Sequence, residues 1–90
     1  MKQKNRQYAK IETEVIKMYA EVFASRIKKA RAETGFTQRE VAKETGIPLS
    51  TIAKYETERL QPDLEKLGIL AEFYGVSIDW LLGLKSNQKI

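Results

Sequence analysis

Residues 37–56 read TQREVAKETGIPLSTIAKYE, which contains two short helical patterns separated by the tripeptide GIP. Thr37 can cap the first helix, and Glu40, three residues later, completes a capping box. Gly46 suits the positive φ of a tight turn, and Pro48 then suits the first position of the second helix. Isolated helices this short are barely stable in water. The stretch therefore predicts two short helices that support one another across a glycine turn.

The apolar residues of this pair indicate which sides are buried. The small Ala42 lies where the two helices approach each other. The buried sides are supplied by Val41, Ile47, Ile52 and Tyr55. Such a pair is typical of a helix-turn-helix, in which the first helix holds a second one that enters the major groove of duplex DNA.

The other side of the second helix gains little from burial and is available to a partner. It consists of Leu49, Ser50, Ala53 and Lys54, with Thr51 at its edge. Because the major groove is just wide enough for an α-helix, this side can face the edges of bases.

Helical spacing continues on both sides of the pair, and no sustained strand alternation appears. Apolar residues three and four apart predict a long amphipathic helix from about residue 7 to residue 33, ended by Gly35. Asp63 can cap a further helix that ends at Gly75. Its apolar stripe is Leu64, Leu67, Leu70, Ala71 and Tyr74. A last short helix is predicted at 78–82, so the expected fold class is all-α.

Composition limits the chemistry that the chain can perform. The 90 residues suit one small domain, and they include neither cysteine nor histidine. That excludes disulfides and thiolate metal sites, and it removes the commonest general base. We expect no enzyme activity, no metal and no cofactor. No apolar run approaches the ~20 residues of a membrane-spanning helix, so we expect a soluble cytoplasmic protein without membrane contact.

The distribution of charge favours an anionic partner. There are 16 basic and 12 acidic residues, which gives a net charge of +4. Residues 1–10 and 26–31 are basic and contain no acid, whereas residues 56–79 contain six acids and two bases. One side of the molecule should therefore be positive, and nucleic acid is the first candidate for its partner.

Several segments of the sequence occur together in a characteristic order. They are RIKKAR at 26–31, GFTQ at 35–38, EVA at 40–42, GI at 46–47, STIAKYE at 50–56, Pro62 and GVSIDWLLG at 75–83. In this order and spacing, residues 23–83 resemble the phage-repressor and Cro-type helix-turn-helix domains, also called the xenobiotic-response-element family. The resemblance implies a five-helix, lambda-repressor-like DNA-binding domain at 22–84. We expect a basic segment and helical extension at 1–21 and a flexible tail at 85–90.

The resemblance also implies roles for single residues. Leu49, Ser50 and Lys54 match positions that face base edges, where Lys54 can donate to guanine and Leu49 can pack on a thymine methyl. Gln38 matches a glutamine that holds a backbone phosphate beside a helix N-terminus. The further expected contacts to the DNA backbone are Thr37, Arg39, Lys43, Thr51 and Arg59.

Three other residues are expected to be structural. Arg31 and Glu56 resemble an ion pair that ties the first helix to the end of the recognition helix. Loss of one partner would leave the other charge stranded. Trp80, the only tryptophan, is expected to anchor the core or a dimer.

The chain departs from the family pattern at three positions near the second helix. Pro48 replaces a serine or threonine cap, and the apolar Leu49 stands where a hydrogen-bonding reader is common. Either readout of DNA shape then carries more of the specificity, or Leu49 is an exposed anchor for a protein partner. Glu58 stands in place of a frequent glycine, and a non-glycine residue with positive φ is unfavourable. We therefore expect the helix to run on slightly or the loop to differ.

The N-terminal extension has three open explanations. Tyr8, Ile11, Val15, Met18 and Val22 follow the spacing of a short heptad seam. The segment is a dimerisation helix, or it folds back on its own domain, or it is a partly disordered basic arm that touches DNA.

These observations predict a sequence-specific regulator of transcription that binds double-stranded DNA, most simply a repressor. A homodimer is expected, because a monomer buries too little surface for strong specificity. The alternative is a protein-interaction module, such as the antitoxin of a toxin–antitoxin pair, whose N-terminal helix binds a small protein partner.

Overall fold

The computed structural model describes the backbone of residues 5–89 and the side chains of residues 14–89. This part of the chain folds into helices, with one isolated β-bridge between Val76 and Lys89. The helices are α1 (Asn5–Thr34), α2 (Gln38–Thr45), α3 (Leu49–Glu56), α4 (Leu64–Tyr74) and α5 (Ile78–Leu81). The expected all-α fold is thereby confirmed.

α1 is one uninterrupted helix of 30 residues, about 45 Å long. Toward its C-terminal end it buries Phe23, Ile27 and Ala30 against the other helices. Nearer its N-terminus, Ile16 and Met18 are 61% and 54% exposed. Ile16 and Met18 are therefore far more exposed than the residues near the C-terminal end of α1, which pack into the core.

This continuity bears on the three explanations for the N-terminal extension. No turn separates residues 5–21 from the rest of α1, so this segment does not form a separate element folded back on the domain. The side chains of Tyr8 and Ile11 and the basic residues at 1–4 lie outside the described residues. The dimerisation helix and the DNA-touching arm therefore stay predictions, as do the domain boundaries.

The start of α2 follows from its sequence. Thr37 Oγ1 accepts a hydrogen bond of 3.0 Å from the backbone N–H of Glu40, and the Glu40 carboxylate accepts one of 2.8 Å from the N–H of Thr37. The predicted capping box is thereby confirmed. Gly46 ends α2 with φ of 78°, a conformation that glycine adopts without steric cost. Pro48 was expected at the first helical position but is the N-cap of α3, with ψ of 144°, so α3 begins one residue later than predicted.

The core lies between α1, the α2–α3 pair and the two C-terminal helices. It contains the four residues predicted for the helix-turn-helix, Val41, Ile47, Ile52 and Tyr55, all at most 3% exposed. Trp80 is also buried at 3% exposure, which makes it a core anchor. The guanidinium of Arg26 lies 4.9 Å from the centre of the Trp80 ring and donates a hydrogen bond of 2.7 Å to the backbone carbonyl oxygen of Trp80.

The C-terminal part differs from expectation at Leu64. Leu64 was assigned to the buried stripe of α4 but is 87% exposed, because it opens the helix ahead of the residues that reach the core. Residues 85–90 were expected to form a flexible tail. In the structure, the backbone carbonyl oxygen of Gln88 accepts a 3.0 Å hydrogen bond from the N–H of Ser77, and its side-chain amide donates one of 2.8 Å to Glu33. The mobility of residues 85–90 stays a prediction.

The expectation for the loop after α3 was wrong. α3 stops at Glu56, and Glu58 adopts the left-handed conformation with φ of 66°. The N–H of Arg59 reaches back to the carbonyl oxygen of Lys54 at 2.9 Å, which closes the helix end in a Schellman-type turn. The hydrogen bonds at the helix end therefore hold a non-glycine residue in a conformation it disfavours.

Replacing Glu58 by glycine is expected to stabilise the protein by about 1 kcal/mol, because the Cβ strain of a left-handed residue disappears. The melting temperature should rise by roughly 4–8 °C, measured by circular dichroism during heating. Glu58→Ala is the matched control, since it removes the same charge and keeps the Cβ. If alanine stabilises as much as glycine, the carboxylate and not the backbone strain is responsible.

Candidate nucleic-acid interface

α3 presents the side that was predicted to face DNA. Ser50 and Lys54 are exposed, and Leu49 and Thr51 are half-buried. The opposite side of the helix is anchored in the core through Ile52, which is 2% exposed, and its neighbours. Because both α1 and α2 pack against α3, this helix of eight residues is held in place with its polar side outward.

An open groove lies next to the start of α3, at the N-terminus of α2. It is lined by Arg31, Ala32, Gly35, Phe36, Thr37, Gln38, Arg39 and Leu49. Two of these side chains, Arg31 and Arg39, carry guanidinium groups. The backbone N–H groups at the N-terminus of α2 form the positive end of the helix dipole. An anionic group is favoured in such a place. The groove therefore joins the predicted phosphate-binding Gln38 and Arg39 to the predicted base reader Leu49 on one surface.

Beneath this groove, the Glu56 carboxylate accepts three hydrogen bonds. One oxygen, Oε2, accepts from Arg31 Nε at 2.7 Å. The other, Oε1, accepts from Arg31 Nη2 and from Gln38 Nε2, each at 3.0 Å. The hydrogen bonds with Glu56 raise the pKa of Arg31 above its ordinary value. The end of α3 is thus connected to both the end of α1 and the start of α2.

A match to a known family accompanies this geometry. Residues 27–81 match the sequence model of the family described as Helix-turn-helix. This chain belongs to the helix-turn-helix family. The geometry of α2 and α3 agrees with that assignment, since two short helices meet across the left-handed Gly46 and the second one keeps an exposed polar side.

Curated helix-turn-helix relatives are similar over most of this chain. The uncharacterized HTH-type transcriptional regulator YobD of Bacillus subtilis (strain 168) is 38% identical over 66 residues, which are 73% of this chain and 59% of the relative. The HTH-type transcriptional regulator ImmR of the same organism is 40% identical over 71% of this chain and 50% of the relative. The cryptic phage CTXphi transcriptional repressor RstR of Vibrio cholerae is 40% identical over 63% of this chain and 51% of the relative. The chain thus spans between half and three fifths of these relatives' lengths.

The contact between Gln38 and Glu56 was missed in the sequence analysis. Gln38 is half-buried at the N-terminus of α2, and one of its amide N–H groups is used by Glu56. The other N–H and the carbonyl oxygen keep their hydrogen-bonding capacity. The only signal for this contact in the sequence was the acidic residue Glu56 at the end of α3. Spacing along the chain does not reveal that the end of α3 meets the start of α2.

An aromatic cluster supports the loop that leads into the helix-turn-helix. The rings of Phe36 and Phe73 lie 5.3 Å apart, and those of Phe73 and Tyr74 lie 5.1 Å apart. Burial, and then the nearby charge of Glu56, raise the pKa of Tyr74 to about 12. Tyr74 is therefore neutral at physiological pH and behaves as a packing residue.

The remaining predicted contacts are distributed over the rim of the helix-turn-helix. Arg39 and Lys43 are exposed on α2, and Arg59 is exposed in the turn after α3. Thr37 is exposed as well, although its hydroxyl already serves the capping box. Among the described residues, no helix has the length and hydrophobicity needed to cross a membrane.

Proposed function

We propose that this chain is a sequence-specific regulator of transcription that binds double-stranded DNA and acts as a repressor. The observation that carries the proposal is the exposed polar side of α3, with Ser50 and Lys54, next to the basic groove at the start of α2. In this proposal α3 enters the major groove, Lys54 and Ser50 bind base edges, and Leu49 contacts a thymine methyl.

The residues around α3 are proposed to hold the sugar–phosphate backbone. Gln38, oriented by Glu56, donates to a phosphate at the N-terminus of α2, where Arg39 adds a positive charge. The proposed backbone contacts further away are Thr37, Lys43, Thr51 and Arg59. Contacts of this kind fix the register of the protein on DNA, whereas those of α3 read the sequence.

Two further features of the proposal follow from the size of the domain and from its relatives. A single small module buries only roughly 600–1,000 Å² on DNA, so we propose a homodimer that reads two half-sites about 34 Å apart. The name of RstR, a cryptic phage transcriptional repressor, supports repression, and that of ImmR, an HTH-type transcriptional regulator, supports regulation of transcription.

Selection of bound duplexes from a random pool tests this function. We expect enrichment of one sequence with twofold symmetry, and an affinity that falls steeply with salt as counterions are released. Ser50→Glu should abolish the enrichment, because it places a negative charge on the proposed reading side. Ser25→Glu, on an exposed serine of α1, is the matched control and should leave the enriched sequence unchanged. A pool with no enriched sequence would refute the proposal.

A further inference from the structure

The turn after α3 holds Glu58 in a fixed position. The N–H of Arg59 donates to the carbonyl oxygen of Lys54 at 2.9 Å, and the N–H of Thr57 donates to the same oxygen at 3.3 Å. The hydroxyl of Thr57 adds a hydrogen bond of 3.0 Å to the carbonyl oxygen of Ala53. Because these bonds join the turn to the last turn of α3, the exposed Glu58 side chain starts from a rigid part of the backbone.

The backbone conformation at Glu58 is unfavourable for a glutamate. Its φ of 66° lies in the left-handed region, where the Cβ of an L-residue is strained and glycine is not. Within residues 5–89, the other residues with positive φ are the glycines Gly35, Gly46, Gly75 and Gly83. Because non-glycine residues in this conformation concentrate at binding and switch sites, a glutamate at this position points to a use for its side chain.

The carboxylate of Glu58 is available to act on a partner. It is exposed, and the ion pairs that the structure shows within residues 14–89 do not include it. Glu56, two residues earlier, is by contrast buried and paired. The exposed charged residues of α3 and its following turn are the basic Lys54 and Arg59 and the acidic Glu58. Glu58 therefore opposes the positive charge at this end of the candidate nucleic-acid interface.

We propose that Glu58 weakens contact with the DNA backbone, so that it sets the affinity for every duplex without contributing to the sequence preference. This inference rests on the proposed function, in which the adjacent Arg59 holds a phosphate. Attraction between basic side chains and phosphates supplies essentially all of the binding to non-specific DNA. A carboxylate fixed beside one of these basic side chains repels the phosphates of all sequences alike. Duplexes that offer no base contacts to α3 are then held only weakly.

The place of Glu58 in the chain favours contact with the backbone over contact with a base. A glutamate in the major groove can accept a hydrogen bond from the amino group of cytosine. In a helix-turn-helix, however, the N-terminal residues of the recognition helix contact the base edges. Glu58 lies beyond the opposite end of α3, which stops at Glu56. We therefore assign Glu58 to the surroundings of a phosphate.

Binding of the Glu58→Gln variant to the selected duplex and to a mismatched duplex tests this role. The variant removes the charge but keeps the size of the side chain and the strain of its backbone, so the melting temperature should not change. Its affinity for both duplexes should rise by the same factor, roughly fivefold to tenfold. The slope of log affinity against log salt should become steeper by up to about one. Glu72→Gln is the matched control, since it removes an exposed charge from α4, which carries none of the proposed DNA contacts. It should raise both affinities by less than about twofold, because salt screens distant charges.

Two results would overturn this role of Glu58 and leave the proposed function intact, because the native chain would still bind DNA with a sequence preference. If Glu58→Gln and Glu72→Gln raise the affinity equally, Glu58 contributes only to the net charge of the chain. If Glu58→Gln changes the ratio of the affinities for the two duplexes, the carboxylate reads a base. A native chain that binds no duplex refutes the proposed function itself, and the role of Glu58 with it.

Discussion

Replacing Glu56 by alanine is expected to lower the free energy of unfolding by about 3 kcal/mol, because it leaves the charge of Arg31 and the amide of Gln38 without their acceptor. The Glu56 side chain is 3% exposed and that of Arg31 is 21% exposed. Water therefore partly solvates the guanidinium of Arg31 after the substitution. The loss of stability should then lie at the lower end of the range expected when one partner of a buried ion pair is removed. The melting temperature should fall by roughly 12–24 °C, measured by calorimetry or circular dichroism.

Two variants separate the stranded charge from the loss of packing. Glu72→Ala removes an exposed carboxylate and should change the melting temperature little. Arg31→Met combined with Glu56→Leu removes both charges and should recover most of the lost stability, since an apolar pair of similar volume often replaces a buried ion pair. Arg31 Nη1 also donates to the carbonyl oxygen of Phe36 at 2.9 Å. A double variant as unstable as Glu56→Ala would show that this bond and the one from Gln38 to Glu56, and not the unpaired charge, dominate.

Local signals in the sequence were sufficient to predict most of the fold. The capping box of Thr37 and Glu40, and the left-handed Gly46, depend on residues within one turn, so their pattern is readable from neighbouring positions. The stripe of apolar residues likewise identified Val41 and Ile52 as buried. These features required no knowledge of how distant segments pack.

The failures arose at the ends of helices, where the geometry of the helix end overrode the preference of a single residue. A glutamate disfavours positive φ. The hydrogen bond from the N–H of Arg59 to the carbonyl oxygen of Lys54 closes the end of α3 and holds Glu58 at positive φ. Leu64 fits the helical stripe, but a first-turn position of α4 projects it away from the core.

The candidate site likewise has one part that the sequence predicts and one part that it does not. The outward side of α3 follows from helical periodicity, which places Ser50 and Lys54 opposite the buried Ile52. The groove at the start of α2 needs the end of α1 and the end of α3 to meet. Its connection through Glu56 is therefore a product of tertiary packing that spacing along the chain does not encode.

Lys54→Ala and Gln38→Ala are expected to weaken DNA binding in different ways. Lys54 is exposed on α3, and the loss of a base contact should reduce the preference for the selected sequence over a mismatched one by roughly tenfold or more. Gln38 is proposed to hold a phosphate, so its loss should weaken all sequences by a similar factor. Competition binding with matched and mismatched duplexes at fixed salt measures both effects.

The contacts of Glu56 make this comparison interpretable. Gln38→Ala leaves the Glu56 carboxylate paired with Arg31 through two hydrogen bonds, so the fold and the position of α3 should be retained. Lys28→Ala removes an exposed charge from α1 and serves as the matched control for Lys54→Ala. It should lower the affinity slightly without changing the preference. If Lys54→Ala behaves like Lys28→Ala, Lys54 contributes only its charge, and the sequence is read by Ser50, Leu49 or the shape of the DNA.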